Sequence, residues 1–245
     1  KRVFDSERRQ GYNQRQLTQG DRAGVKVDLH VHTHYSPDSL TTPRDVVRWA
    51  ERRGLGALAI TDHNTLAGAH AVREISPIPI IVGAEIMTSA GEIIGLFLSE
   101  EIPPGLSPQE TAERIHAQGG LVYAPHPMDR VRRSALGLEA LLGVIGQVDC
   151  IEVLNARVTY ALDNRHAEAV ARAYGLLQGA GSDAHQGFEI GQAYVEMASF
   201  SDTASFARAM AWATVRGRIS SPLVHFGSTY AKVAKDLLGG APSFR

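Results

Sequence analysis

Histidines and acids recur along this chain at short spacings that suit metal coordination. Asp28-Leu29-His30-Val31-His32 carries a His-x-His and Thr61-Asp62-His63 an acid beside an imidazole. Gly83-Ala84-Glu85 offers a carboxylate, Pro125-His126-Pro127 an imidazole between prolines, and Ser182-Asp183-Ala184-His185 an acid-x-His. Extended backbone alternates its side chains with period two, so His-x-His and Asp-x-His each set two ligands on one side of a strand. Imidazole and carboxylate without thiolate suit zinc, manganese or iron(II), and do not choose among them. A carboxylate such as Glu85 can bridge two ions roughly 3.5–4 Å apart, the spacing of two-metal hydrolases. Singly, each motif has a bland reading: a chance His-x-His, a capping turn, a rigid loop, a helix start. Their joint placement after successive strands argues for metal.

The elements that must position them follow from the apolar pattern. Short apolar runs predict strands at Val25–His30, Leu58–Ile60, Ile80–Val82, Glu92–Leu98, Leu121–Ala124, Cys150–Leu154, Leu177–Ala180 and Val195–Met197. Amphipathic stretches predict helices at Pro43–Arg53, Ala67–Glu74, Pro108–Ala117, Ala135–Leu142, Asn164–Tyr174, Thr203–Arg216 and Tyr230–Leu238. Thr42 and Ser107 stand where N-caps belong, Pro43 and Pro108 at first helical positions, and Gly54 just past a helix end. Strand–helix alternation in roughly seven units predicts an α/β chain with a mainly parallel sheet, better closed into a barrel than left open. In a barrel the loops at the carboxyl ends of the strands converge on one opening, and the motifs above all fall there. The expected division is a polar extension over 1–24, one barrel domain over 25–220 and a helical tail over 221–245 packing on it.

Composition narrows the classes. With 44% hydrophobic and 21% charged residues the 245-residue chain reads as an ordinary globular protein. Lys plus Arg nearly cancels Asp plus Glu, 25 against 26, so no global basic field points to nucleic acid. A single cysteine, Cys150, excludes an intramolecular disulfide framework and a cysteine-rich zinc site. No apolar run reaches the ~18–20 residues of a membrane span. Lys1–Gly24 lacks the apolar core of a signal peptide, so the cytoplasm is the expected compartment. Of the ten histidines, His34 reads as a supporting or solvent-facing residue of the first loop. His70, His116 and His166 fall in helical stretches and read as surface residues, while His225 lies in the C-terminal part.

Taken together, Asp-Leu-His-Val-His-Thr with Tyr-Ser-Pro-Asp, Ile-Thr-Asp-His, Gly-Ala-Glu, Pro-His-Pro and Gly-Ser-Asp-Ala-His resemble the PHP (polymerase and histidinol phosphatase) family, in the family's order from Asp28 to His185. The resemblance implies a distorted (β/α)7 TIM-like barrel with two or three divalent ions (Mn, Zn or Fe) at its mouth. Carried over by motif, it implies that His30, His32, Glu85 and Asp183 hold one ion, and that Glu85 and His126 share a second. Asp38, His63 and His185 would hold a third, Asp38 standing where some members have histidine. Asn155 is a departure, an amide where trinuclear members place a second-ion histidine.

The implied activity is hydrolysis of a small phosphomonoester or nucleotide by a metal-activated hydroxide, water being acidified toward neutrality by the ions. Glu85 belongs to that catalytic group as the bridge, and Asp62 or His185 is the expected proton donor to the leaving group. Phosphate also calls for guanidinium forks, for which Arg130 and Arg157 are candidates beside Asn155, with Arg132 and Arg133 expected to face water. The expected partner is a small phosphorylated substrate, with an oligonucleotide as the alternative through 5'-3' exonuclease-type release. A non-catalytic metal-stabilised module and an amidohydrolase are further alternatives. No membrane and no obligate protein partner are expected.

Overall fold

The apolar runs pair into one nine-stranded sheet in the order β7-β6-β5-β4-β3-β2-β1-β8-β9, as seen in a computed structural model that describes residues 24–221 and 223–237. The elements in chain order are β1 Val25–Val31, α1 Pro43–Arg53, β2 Ala57–Ile60, α2 Ala67–Ile75, β3 Ile80–Thr88 and β4 Gly91–Leu96. They continue with α3 Pro108–Ala117, β5 Leu121–Ala124, α4 Gly137–Val144, β6 Cys150–Asn155, α5 Ala161–Tyr174 and β7 Leu177–Gly181. β8 Ala193–Met197, α6 Thr203–Met210, β9 Thr214–Gly217 and α7 Val224–Leu237 complete the chain. The polar extension expected over 1–24 lies outside the described residues, Gly24 excepted.

Helix ends form as the sequence chemistry dictates. Thr42 accepts from the Asp45 backbone N–H and Asp45 answers at the Thr42 N–H, while Ser107 and Glu110 build the same reciprocal box at α3. Gly54 and Gly175 close α1 and α5 in the left-handed conformation. One expectation fails. The helix predicted over Thr203–Arg216 stops at Met210, and Thr214–Gly217 forms β9 against β8 instead. Free backbone on the outer side of β8 offers Thr214 and Val215 ladder hydrogen bonds, and tertiary pairing overrides the helical periodicity.

Strands β1, β2 and β3 are parallel, as are β5, β6 and β7, and β4 runs antiparallel to both of its neighbours. The rim at the carboxyl ends closes: His32 N–H donates to the Ala184 carbonyl at 2.9 Å and Asp183 N–H to the His30 carbonyl at 2.8 Å. At the opposite end the first half of β1 pairs with β8, Val25 opposite Met197 and Val27 opposite Val195. The result is a distorted TIM-like barrel in a single α/β domain. Val27, Leu29, Ile81, Ile94, Leu121, Tyr123 and Leu177 fill its interior, and Phe206 and Met210 of α6 pack on the same cluster. A second apolar layer, including Val46, Leu58, Ile60, Val72, Ile115 and Ala171, joins the sheet to its helices.

Two irregularities aim the polar residues inward. Register slips by one residue between Asp28 and Val31 of β1 and between Glu152 and Leu154 of β6. A bulge lets sequence neighbours turn to the same side. Leu29 therefore packs in the interior cluster while His30 also points inward, to Glu152 and Glu85. On β6, Asn155 comes to the side of Glu152 and donates to it at 2.9 Å.

Candidate metal centre

Five imidazoles and four carboxylates meet at the closed rim: His30, His32, His63, His126, His185, Asp38, Glu85, Glu92 and Asp183. Glu85, completely buried, is the hub. Its Oε2 lies 3.4 Å from His30 Nε2, 3.3 Å from His32 Nε2 and 3.3 Å from His63 Nδ1, and its Oε1 lies 2.9 Å from His126 Nε2. Asp183 Oδ1 stands 3.7 Å from His30 Nε2, 3.5 Å from His32 Nε2 and 3.5 Å from His185 Nδ1. Asp38 joins His63 at 3.5 Å and His185 at 3.3 Å. The backbone is bent to deliver two of these groups, with φ of 54° at Asp183 and 29° at His126. Such conformations cost roughly 1–3 kcal/mol at a residue bearing a side chain.

Whether this set fits an ion turns on where the ring protons lie. Ser36 Oγ donates to Asp62 at 2.7 Å, so its lone pair accepts the His32 Nδ1 proton at 3.0 Å and leaves His32 Nε2 unprotonated. His30 Nδ1 faces Glu152 Oε1 at 3.2 Å, which keeps the proton there and frees His30 Nε2. The two bare nitrogens then face each other at 3.0 Å. His185 Nδ1 donates to the Asp183 carbonyl at 2.8 Å, which turns its own bare Nε2 on the Asp38 carboxylate. Lone pairs converging at such distances demand a cation between them. Asp38 Oδ1, Glu92 Oε2 and Asp183 Oδ1 are buried without a hydrogen bond, as ion ligands waiting for their ion would be. The donor set fits divalent metal.

Without an ion, protons take its part. Burial lowers the pKa of His30, but Asp183, Glu152 and Glu85 outweigh it and raise it well above the ordinary value. Burial likewise opposes His63, which Glu85, Asp38 and Glu92 lift to about 10. Burial raises Glu85 and Asp183, yet His30 with His63 in one case and Arg132 with His30 in the other hold them well below the carboxylate range. His185 moves the other way. Burial, with His32 and Arg157 adding to it against Asp38, lowers it to about 4.

Several of the expected residues have partners within the protein. Asp62 is buried and accepts from Thr33 N–H, the Thr33 hydroxyl and Ser36 Oγ, each at 2.7 Å, so it orients the first loop and, through Ser36, His32. Asn155 presents its NH2 to Glu152 and to Asp183 Oδ2 at 3.2 Å, while its oxygen accepts from Arg157 N–H at 2.7 Å. Arg157 is buried against Glu189, the carbonyls of Asp183 and Val224, and Ser228 of α7. Arg130, half exposed, pairs with Asp163 at 2.7 Å and lies over Tyr160. Arg132, expected in water, turns inward instead: Nη2 reaches Asp183 Oδ2 at 2.5 Å and Nη1 reaches His126 Nε2 at 3.0 Å. Asp183, Glu92 and Glu85 of the rim, with Asp129 beside it, draw it in. His34 stacks on Tyr35, His70 and His116 pair with Arg73 and Asp149, and His166 is exposed.

Glu92 is the group that motif reading missed. It is the second residue of β4, and because β4 runs backwards its first residues, rather than its last, lie at the mouth. Its carboxylate stands 3.6 Å from His63 and 3.8 Å from His126. Glu152, behind His30, was visible only as a strand-end acid; the β6 bulge is what brings it into the cluster with Asn155.

A barrel whose carboxyl-end rim gathers imidazoles and carboxylates around shared oxygens is the framework of a metal-dependent hydrolase. Residues 28–190 match the PHP domain, and the chain belongs to that family. An uncharacterised protein of Methanocaldococcus jannaschii is 43% identical over 145 residues, spanning 54% of this chain and 82% of its own. The 3',5'-nucleoside bisphosphate phosphatase of Chromobacterium violaceum is 33% identical over 132 residues, 51% of this chain and 42% of its own. Among solved structures, the lesion-specific endonuclease Q of Pyrococcus furiosus shares the fold with a TM-score of 0.62 at 15% identity, over 78% of this chain and 57% of that one. No helix among the described residues is long and apolar enough to cross a membrane.

Proposed function

We propose that the substrate is a small phosphomonoester, a nucleotide among them, hydrolysed at a centre held by His30, His32, Asp38, His63, Glu85, His126, Asp183 and His185. The observation that carries this is Glu85, one buried carboxylate spread between three imidazoles on Oε2 and a fourth on Oε1. Bound divalent ions supply two things there, a lowered pKa for water and neutralisation of charge on the phosphate oxygens. The chain's own residues do the positioning. Asp62 through Ser36, and Glu152 directly, fix the His32 and His30 rings with Nε2 toward the centre. Asp62 already accepts three hydrogen bonds and His185 Nδ1 is committed to the Asp183 carbonyl, so both act as positioning groups rather than as proton donors.

The basic residues favour the small substrate over an oligonucleotide. A strand needs a track of free cations along its phosphates. Arg130 is tied to Asp163 and Arg157 to Glu189 and Ser228, while the chain as a whole carries a formal charge of −1. The test is turnover by the purified full chain with manganese on p-nitrophenyl phosphate, a nucleoside 3',5'-bisphosphate and oligonucleotides of increasing length. Release of phosphate from the monoesters is expected, with a loss of at least about 100-fold in Glu85→Ala. Activity confined to oligonucleotides and rising with their length would favour exonuclease action instead.

A further inference from the structure

One of three groups of ligand atoms at the rim is already filled by a cation of the chain itself. The His30, His32, Glu85 Oε2 and Asp183 Oδ1 atoms surround one position, and Asp38, His63 and His185 a second. What remains is Glu85 Oε1, His126 Nε2, Glu92 Oε2 and Asp183 Oδ2. Into this space reaches Arg132, its two terminal nitrogens at 3.0 Å from His126 Nε2 and 2.5 Å from Asp183 Oδ2. The side chain is 20% exposed, so it sits at the lip with its stem coming from the loop after β5.

The wall behind it also turns cations away. Asn155 directs its NH2, not its oxygen, at Asp183 Oδ2, because the oxygen is committed to the Arg157 N–H at 2.7 Å. A third metal ion would therefore meet an amide donor on one side and a guanidinium on the other. Arg132 in turn is flanked by Asp183, Glu92, Glu85 and Asp129, whose charges outweigh the cost of its burial. It cannot lose its proton at any accessible pH, so its charge is permanent.

We propose that the Arg132 guanidinium is the resident cation of this third position, so that the chain loads two divalent ions and not three. It rests on the metal reading given under the proposed function and changes it in one respect, moving His126 Nε2 from an ion to the Arg132 guanidinium. A guanidinium carries more N–H donors than the two contacts use, and those left at the lip suit the oxygens of a phosphate ester. Arg132 is then a substrate-binding group and a stand-in for an ion at once.

The experiment counts ions. The full chain is stripped with chelator, loaded with excess manganese or zinc, desalted and measured by inductively coupled plasma mass spectrometry against protein concentration. Two ions per chain are expected for the wild type and for Arg132→Lys, which keeps the charge. Three are expected for Arg132→Met, and for Arg132→Met combined with Asn155→His. Three ions in the wild type overturn the inference while leaving the metal reading intact, and so does a count that stays at two in both methionine variants. No ions in the wild type removes the metal reading, and this inference with it. The wild-type count stands on its own should a variant fail to fold.

Discussion

At the level of single residues the centre is packed with no slack. Gly181 ends β7 beside His30, and a Cβ there would press on His30 Cβ, His30 N and Glu152 Oε1 together. Gly181→Ala is expected to destabilise the fold by about 1–3 kcal/mol through overpacking. It should also weaken ion binding by turning the His30 ring, measured by denaturant unfolding and metal titration; unchanged values in both would show that the site has room for a methyl group. The ring protons carry a second prediction. His63 is lifted to about 10, so the ion-free protein holds a proton near pH 7 that ion binding must expel. Proton release on loading, read by calorimetry in buffers of different ionisation enthalpy, should follow, with affinity falling as pH falls. The sign for stability is the usual one for a raised histidine. In chelated protein its contribution is whole below about 6.5 and is lost as pH rises toward 10. Melting of the ion-free chain across that range checks it. Most of these groups were legible as motifs because period-two spacing marks ligand pairs. Glu92 and Arg132 were not, since each reaches the centre from a segment with no pattern of its own: the start of a reversed strand and an irregular loop.

Elements were read well wherever local chemistry decides and poorly where pairing decides. The caps at Thr42, Ser107 and Gly54 mark true helix ends because each satisfies backbone groups within one turn. The bulges in β1 and β6 and the conversion of the Thr214–Gly217 stretch to a strand depend on neighbours far along the chain, and no local spacing announces them. Helix α7 shows how an outlying element touches the chemistry. Lys235 Nζ donates to the carbonyls of His34 and Ser36 at 2.5 Å each, gripping the loop that leads to Asp38. Lys235→Ala is expected to leave the fold in place and weaken ion affinity about tenfold, in the range of other groups that act behind a ligand. An unchanged dissociation constant would show that the loop holds its shape unaided.

The whole molecule joins a sheet that the sequence order alone leaves open. Alternation of strands and helices foretold the barrel, but not that β4 runs backwards or that β1 leaves β7 for β8 at one end. Removing the ions should cost the entire fold some stability. An ion at 100 times its dissociation constant adds about 2.7 kcal/mol, which in a chain of this size is worth roughly 5–10 °C in Tm. Melting with and without chelator measures it, and equal Tm values would show that the folded and unfolded chains hold metal alike. The rim hydrogen bonds give this a temporal side. Val31 and Ala184 meet across a gap of some 150 residues, so their union waits on nearly everything between. His30 and His32 stand on one lip of that seam, Asp183 and His185 on the other. An ion shared between them is a clasp fastened last, and its chief effect on the finished protein is on time: the loaded barrel should open far more slowly than the empty one.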